Sequence, residues 1–75
     1  MYLAWFDDHP KKETRYKISE AISAYESRFG TSPNVVLVNE TQSMEAVDGV
    51  QVVSRRNIRK HNFWVGVERP AVIAS

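Results

Sequence analysis

Residues 10–38, PKKETRYKISEAISAYESRFGTSPNVVLV, contain a helical period followed by an uninterrupted apolar run. The first part carries apolar or small side chains at spacings of three and four, which form one face of an amphipathic helix. These side chains are Thr14, Ile18, Ala21, Ile22, Tyr25 and Phe29. Gly30 follows them and is the residue type favoured for a left-handed helix cap. The pattern predicts one long helix over about 10–29, with Asp8 or His9 as the N-cap.

An apolar strand is predicted on each side of this helix. Residues 34–38 include four consecutive apolar side chains without alternation, which is typical of a central strand covered on both faces. Residues 2–6, YLAWF, are rich in aromatic side chains and predict the first strand. Since a strand, a helix and a second strand form a right-handed crossover, we expect these two strands to be parallel neighbours.

The second half of the chain predicts two further strands. Residues 40–49 predict a short helical turn around Met44 and then a tight turn at Asp48. Residues 50–53 predict the third strand, and the alternation over 63–68 predicts the fourth. The predicted fold is of the α/β class with α+β character: order β-α-β-β-β, a mixed sheet of three to four strands, and the helix on one face. The direction of the third strand stays open, because about ten residues are close to the minimum for a parallel crossover.

Length and composition restrict the class of protein. The 75 residues predict a single domain, 1–75, because a second core would have too few residues to bury. Ten Lys and Arg against nine Asp and Glu give a net charge of +1, which excludes a uniformly basic nucleic-acid protein. No Cys is present, so disulfides and thiolate metal sites are excluded. The sequence predicts no cofactor, no membrane span and no signal peptide, and hence a cytoplasmic protein.

The amount of apolar surface is the feature from which we predict self-association. The strands carry apolar side chains on both sides, whereas one helix covers only one side of a sheet. Because soluble monomers rarely expose such a patch, we expect a non-enzymatic binding protein that forms a homodimer through the sheet face not covered by the helix. The residues predicted for this face are Leu3, Trp5, Val36, Val38, Trp64 and Val72. The alternative is that residues 40–49 and 70–75 fold back and cover it.

Residues 55–61, which we call the basic loop, suggest a second function. Arginine forks bind phosphates, and Trp64 shortly afterwards offers a stacking face for an unpaired base. The alternative hypothesis is therefore a nucleic-acid-binding accessory protein. Its predicted contacts are Arg55, Arg56, Arg59, Lys60 and His61. Two competing interpretations are a solvated loop and a set of ion pairs between this loop and the acidic segment 40–48.

Carboxylates follow the first two predicted strands, which suggests a third function. Asp7 and Asp8 come after the first strand and Glu40 comes after the second. At the shared carboxyl edge of a parallel pair, such groups hold Mg²⁺ in phosphoryl-transfer and hydrolytic enzymes. The competing interpretation is that Asp8 caps the helix and the other two are solvated. No catalytic residue is predicted, because no glycine elbow frames a Ser and the sequence has no Gly-rich phosphate loop.

Overall fold

The computed structural model describes residues 2–68, in which one α-helix and four β-strands occur. In chain order the elements are β1 (Tyr2–Phe6), α1 (Thr14–Phe29), β2 (Val35–Val38), a 3₁₀ turn (Glu40–Gln42), β3 (Gln51–Ser54) and β4 (Asn62–Gly66). The predicted order β-α-β-β-β is confirmed, and a single helix with a mixed sheet makes this an α+β domain. Among the residues described, no helix is long and apolar enough to cross a membrane.

The strands form one mixed sheet in the order β1-β4-β2-β3. β4 is antiparallel to both β1 and β2, whereas β2 is parallel to β3. β1 and β2 therefore run in the same direction, as predicted. The prediction that they are neighbours is wrong, because β4 lies between them. The crossover rule describes the hand of a connection between parallel strands, and it does not require those strands to be adjacent in the sheet.

The helix α1 begins later than predicted. It starts at Thr14, and its N-cap Glu13 is extended and makes no side-chain capping bond. The Asp7 carboxylate accepts the backbone N–H of His9 at 3.0 Å, and His9 Nδ1 accepts the N–H two residues further on at 3.2 Å. The prediction of Asp8 or His9 as N-cap is therefore wrong, because side chains of this segment close turns that precede the helix.

Two tight turns occur at the glycines where the sequence predicts them. Gly30 has φ 70°, and its N–H donates to a carbonyl of the last helical turn at 2.9 Å. Asp48 and Gly49 have φ values of 52° and 77°, and they connect Val47 and Val50, whose backbones are hydrogen-bonded to each other. Positive φ at both central positions is the geometry of a type I′ turn, for which Asp-Gly is a preferred pair.

The segment between β2 and β3 fixes the direction of β3. Asn39 starts the 3₁₀ turn, since its Oδ1 accepts the N–H of Thr41 at 2.9 Å. The predicted helical turn around Met44 is wrong, because this capping bond places the turn earlier in the chain. β3 then runs parallel to β2. The carboxyl ends of β1, β2 and β3 consequently lie at one edge of the sheet, and the basic loop starts there.

The hydrophobic core lies between α1 and one face of the sheet. The apolar side chains that recur with the helical period lie on the side of α1 that faces the sheet, as the sequence predicts. The buried helix side chains pack with those of β2 and β4, namely Ile18, Ala21, Ile22 and Tyr25 with Val36, Val38, Phe63 and Val65. Burial of apolar surface on this one face is the main source of stability of the domain.

Candidate functional site

The strand register assigns each side chain to one of the two faces of the sheet. Leu3, Val65 and Val36 are consecutive partners across β1, β4 and β2, so their side chains share a face. Val65 and Val36 are fully buried in the core beneath α1, which identifies this face as the covered one. Trp5 is the partner of Phe63 and lies on the same side.

Four of the six residues predicted for self-association therefore lie on the covered face, and that part of the prediction is wrong. They belong to the core or pack against it, and they are Leu3, Trp5, Val36 and Val38. Trp64 lies on the opposite face, and Val72 lies outside the described residues. The error arises because alternation separates two sets of side chains without saying which set the helix covers.

The opposite side of the sheet, which α1 leaves uncovered, is called the open face here. By strand alternation its side chains include Tyr2, Ala4, Phe6, Leu37, Val53, Asn62 and Trp64. Phe6 is 62% exposed and Trp64 is 41% exposed. Large aromatic side chains exposed together on one surface are typical of a binding site rather than of an inert surface.

Three aromatic side chains lie in a row on the open face. Trp64 is directly opposite Ala4, and Tyr2 and Phe6 lie two residues before and after Ala4 on β1. Diagonal neighbours of this kind are about 7–8 Å apart in an antiparallel pair. Trp64 is therefore flanked on both sides by another aromatic side chain, and we call these three residues the aromatic row.

The basic loop is fixed at the carboxyl edge of the sheet by its backbone and by one apolar side chain. Asn39 Nδ2 donates to the carbonyl of Ile58 at 2.8 Å, and Gln42 Oε1 accepts the N–H of His61 at 2.7 Å. The carbonyl of His61 accepts the N–H of Asp7 at 3.0 Å. The Ile58 side chain is buried. These contacts hold the loop without using its cationic side chains.

The cationic side chains of the basic loop are available to an external anion. Arg55, Arg56, Arg59 and Lys60 are exposed. Within residues 2–68 the ion pairs are those of Lys12, so the acidic segment 40–48 does not neutralise the loop there. His61 differs from the other predicted contacts, because it is half-buried and its Nδ1 is shielded from solvent.

A groove of about 450 Å³ connects the aromatic row with the basic loop. Its lining residues are Tyr2, Leu37, Arg55, Asn57, Ile58 and Trp64. The Tyr2 hydroxyl donates to Glu68 Oε2 at 2.7 Å, and this bond, together with burial, raises the pKa of Tyr2. The groove thus combines aromatic surface, a guanidinium and an amide, which suit a flat ring that carries an anionic group.

The structure does not gather Asp7, Asp8 and Glu40 into a metal site. Asp7 forms an ion pair with Lys12 at 2.9 Å, while Asp8 and Glu40 are exposed. A backbone N–H of the following turn and the Lys12 ammonium lower the pKa of Asp7. In the described part of the chain, no group of three or more His, Cys, Asp or Glu side chains could hold a metal ion. β4 separates the two strand ends that the metal hypothesis required to be neighbours.

The sequence patterns identify Trp64 and the basic loop, which includes Asn57, as members of the site. They do not identify Tyr2 and Phe6, for which they predict only a strand. The signal for these two residues is their alternation with Leu3 and Trp5. That signal becomes informative only when the register of β1 on β4 is known, because the register is what places them beside Trp64.

Comparisons with protein-family models, with curated proteins and with solved structures find no match. Any function proposed for this chain therefore has to follow from its own residues.

Proposed function

We propose that the protein is an accessory protein that binds single-stranded nucleic acid on its open face. The single observation that carries this proposal is the groove in which the exposed Trp64 lies together with Arg55 and Asn57. A stacking surface suits a base, a guanidinium suits a phosphate and an amide can hydrogen-bond to either, and the groove contains one of each in Trp64, Arg55 and Asn57.

Stacking on the aromatic row accounts for the base contacts. Every base has a π-face, so an exposed indole binds bases with little dependence on sequence, at about 1–3 kcal/mol per base. Tyr2 and Phe6 are four residues apart on β1, which corresponds to roughly 13 Å along a strand. With Trp64 between them, this length suits about three consecutive unpaired nucleotides.

The charge distribution accounts for the phosphate contacts. Arg55 and Arg56 are exposed beside the groove, and they lack carboxylate partners in the described part of the chain. Cations that have no carboxylate partner in the unbound protein release counterions from nucleic acid when they neutralise phosphates. A local basic loop has this effect even though the net charge of the chain is only +1.

The single-stranded form is favoured over duplex by the shape of the site. Bases in a duplex are stacked on one another, so their faces do not reach an aromatic side chain on a sheet. Recognition of duplex DNA commonly uses a helix or a β-ribbon inserted into the major groove. The exposed arginines of the basic loop lie instead beside a sheet surface on which open aromatic faces are displayed.

The test is the affinity for a labelled oligo(dU) or oligo(U) of about ten nucleotides, measured by fluorescence anisotropy over a range of salt concentrations. We expect a steep linear fall of log affinity with log salt. Replacing both Arg55 and Arg56 by Ala lowers the slope by about 1.4, since each phosphate contact of a single strand contributes about 0.7. Trp64→Leu weakens binding about tenfold, because one stacked base is lost.

The matched control replaces Arg15 and Arg28 by Ala. These two arginines are also exposed, but they lie on α1, on the other side of the sheet. The control removes the same charge and should leave affinity and slope close to those of the wild type. Equal losses in both double variants, or no retention of any strand at low salt, would show that the basic loop and the aromatic row are not a binding site.

The homodimer predicted from the sequence stays a prediction, and the exposure of Phe6 and Trp64 favours it. A face-to-face dimer would bury the same aromatic row that we assign to bases. The two uses of the open face therefore exclude each other, and nucleic acid would dissociate such a dimer.

A further inference from the structure

Strand β1 is the outermost strand of the sheet, and its outer edge has no partner among residues 2–68. Its five residues contain no charge and no Pro, and they pair with β4 without a bulge. Proteins usually protect such an edge with charges, prolines or bulges, because unpaired backbone groups are a template for another strand. An edge of this kind, when left unprotected, is a surface suited to strand pairing.

The backbone bonds between β1 and β4 identify which groups face outward. The N–H of Asp7 donates to the carbonyl of His61 at 3.0 Å, so these two residues form a hydrogen-bonded pair. Hydrogen-bonded pairs alternate along an antiparallel ladder, which makes Trp5 and Leu3 the next ones on β1. The N–H and C=O groups of the intervening residues point away from β4. These residues are Tyr2, Ala4 and Phe6.

We propose that β1 pairs antiparallel with β1 of a second copy of this chain, about a two-fold axis at Ala4. In this register Ala4 is opposite Ala4 of the second copy, and Tyr2 is opposite Phe6 of the second copy. All outward N–H and C=O groups then find partners, in about six hydrogen bonds. Moving the axis by one or more residues leaves some of these groups unpaired.

The side chains of β1 are compatible with the same register. The sequence YLAWF has an aromatic residue at each end and a small residue in the centre, and these three positions match when the strand is reversed. Tyr2 beside Phe6 of the second copy is an aromatic cross-strand pair, which stabilises a sheet. On the other face Leu3 meets Trp5 of the second copy. Both are only partly buried in the single chain, although they pack against its core.

Self-complementarity is the reason for assigning this edge to a second copy. The strand carries no charge, so no like charges oppose each other across the axis. The contact joins the two sheets edge to edge and leaves the open face accessible. Each copy then contributes its own aromatic row to one continuous surface. The edge-to-edge dimer does not depend on nucleic-acid binding. It is compatible with nucleic-acid binding on the open face, whereas a face-to-face dimer is not.

The test uses the special position of Ala4, because a residue on a two-fold axis faces itself. We expect the wild type to sediment as a dimer across a dilution series. Ala4→Lys alone and Ala4→Glu alone should each sediment as monomers, since like charges are opposed about 5.5 Å apart between Cα atoms. An equimolar mixture of the two should form dimers again. Ala4→Gln, which has a long side chain without charge, is the matched control and should stay dimeric.

Ala4 is exposed on the open face, so these variants should fold, and circular dichroism checks this. A wild type that is monomeric at every concentration overturns the proposal. Ala4 also lies on the open face, so Trp64→Glu is the variant that separates the two arrangements. Trp64 is on β4, away from the outer edge of β1, and Trp64→Glu should stay dimeric. Loss of the dimer in this variant overturns the proposal in favour of the face-to-face arrangement. Failure of the mixture to reassociate also overturns it. Oligonucleotide affinity of the wild type is measured separately, so the failure of one proposal does not imply the failure of the other.

Discussion

The carboxylate of Asp7 accepts hydrogen bonds from two donors in the segment that connects β1 to α1. The N–H of His9 lies 3.0 Å from one oxygen, and Lys12 Nζ lies 2.9 Å from the other. Lys12 Nζ also donates to Glu20 on α1 at 2.8 Å. Two ion pairs that share Lys12 therefore link Asp7, at the end of β1, to the helix. The hydrogen bonds to Glu20 and, to a smaller extent, to Asp7 raise the pKa of Lys12.

Asp7→Asn should make the stability of the protein less dependent on pH in the acid range. The pKa of Asp7 is lower in the folded protein than its unfolded value of about 3.9, so its charge stabilises the fold above that pH. The stabilisation is lost as the pH falls through the folded pKa. Urea unfolding at pH 7 and at about pH 2.5 should show a less stable variant at pH 7 and a smaller difference in acid.

The control for this prediction is Asp8→Asn, which removes the same charge from the exposed neighbouring residue. It should change stability less than Asp7→Asn does at pH 7. If the Asp7 variant differs from the wild type by the same amount at both pH values, the charge of Asp7 is not what stabilises the connection.

The sequence predicts the C-terminal end of α1 correctly and its N-terminal end incorrectly. Its C-terminus is predicted, because Gly30 is the residue that adopts φ 70° without cost. Its N-terminus is not, because Asp7, Asp8 and His9 all have side chains that cap equally well in a turn or in a helix. In the structure the Asp7 carboxylate accepts the N–H of His9 and pairs with Lys12, and both partners lie before the helix begins at Thr14.

Gly30→Ala should destabilise the protein by about 1 kcal/mol, because an L-residue in the left-handed region clashes with its own backbone. A Cβ at Gly30 meets no other atom within 4 Å, so the whole effect is conformational. Gly30→Asn should cost less, since Asn tolerates this region. Chemical denaturation of the wild type and the two variants checks the order. Equal stabilities of the wild type and the Gly30→Ala variant would mean that the helix ends by another mechanism.

The two faces of the sheet have different roles. One face forms the core with α1, and the open face carries the aromatic row beside the basic loop. β4 creates this division, because it contributes Phe63 to the core and Trp64 to the open face. Its insertion between β1 and β2 also aligns Tyr2 and Phe6 with Trp64.

A pair of identical substitutions tests which face is the core. Val36 is fully buried on the covered face, whereas Val53 is partly exposed on the open face. Val36→Ala should cost about 2 kcal/mol through lost burial and a residual cavity. Val53→Ala should cost less than about 1 kcal/mol, because less apolar surface is lost there. Equilibrium denaturation measures both. The reverse order would mean that the two faces have been assigned the wrong way round.

The features that can be read from the amino-acid order alone are those that depend on neighbours along the chain. The period of α1, the cap at Gly30, the turn at Asp48 and the order β-α-β-β-β all follow from spacings and backbone preferences within a few residues. The position of the basic loop and the absence of Cys likewise needed no structure. These features depend on residues close together in the chain, so the sequence is enough to predict them.

The strand order, the covered face and the neighbours of Trp64 cannot be read from the amino-acid order. Each depends on hydrogen bonds between residues far apart in the chain, above all those that β4 makes with both β1 and β2. Period-two alternation is symmetric between the two faces of a sheet, and only the docking of α1 breaks that symmetry. For this reason Leu3 and Trp5 belong to the core, while Tyr2 and Phe6 lie beside Trp64 on the open face.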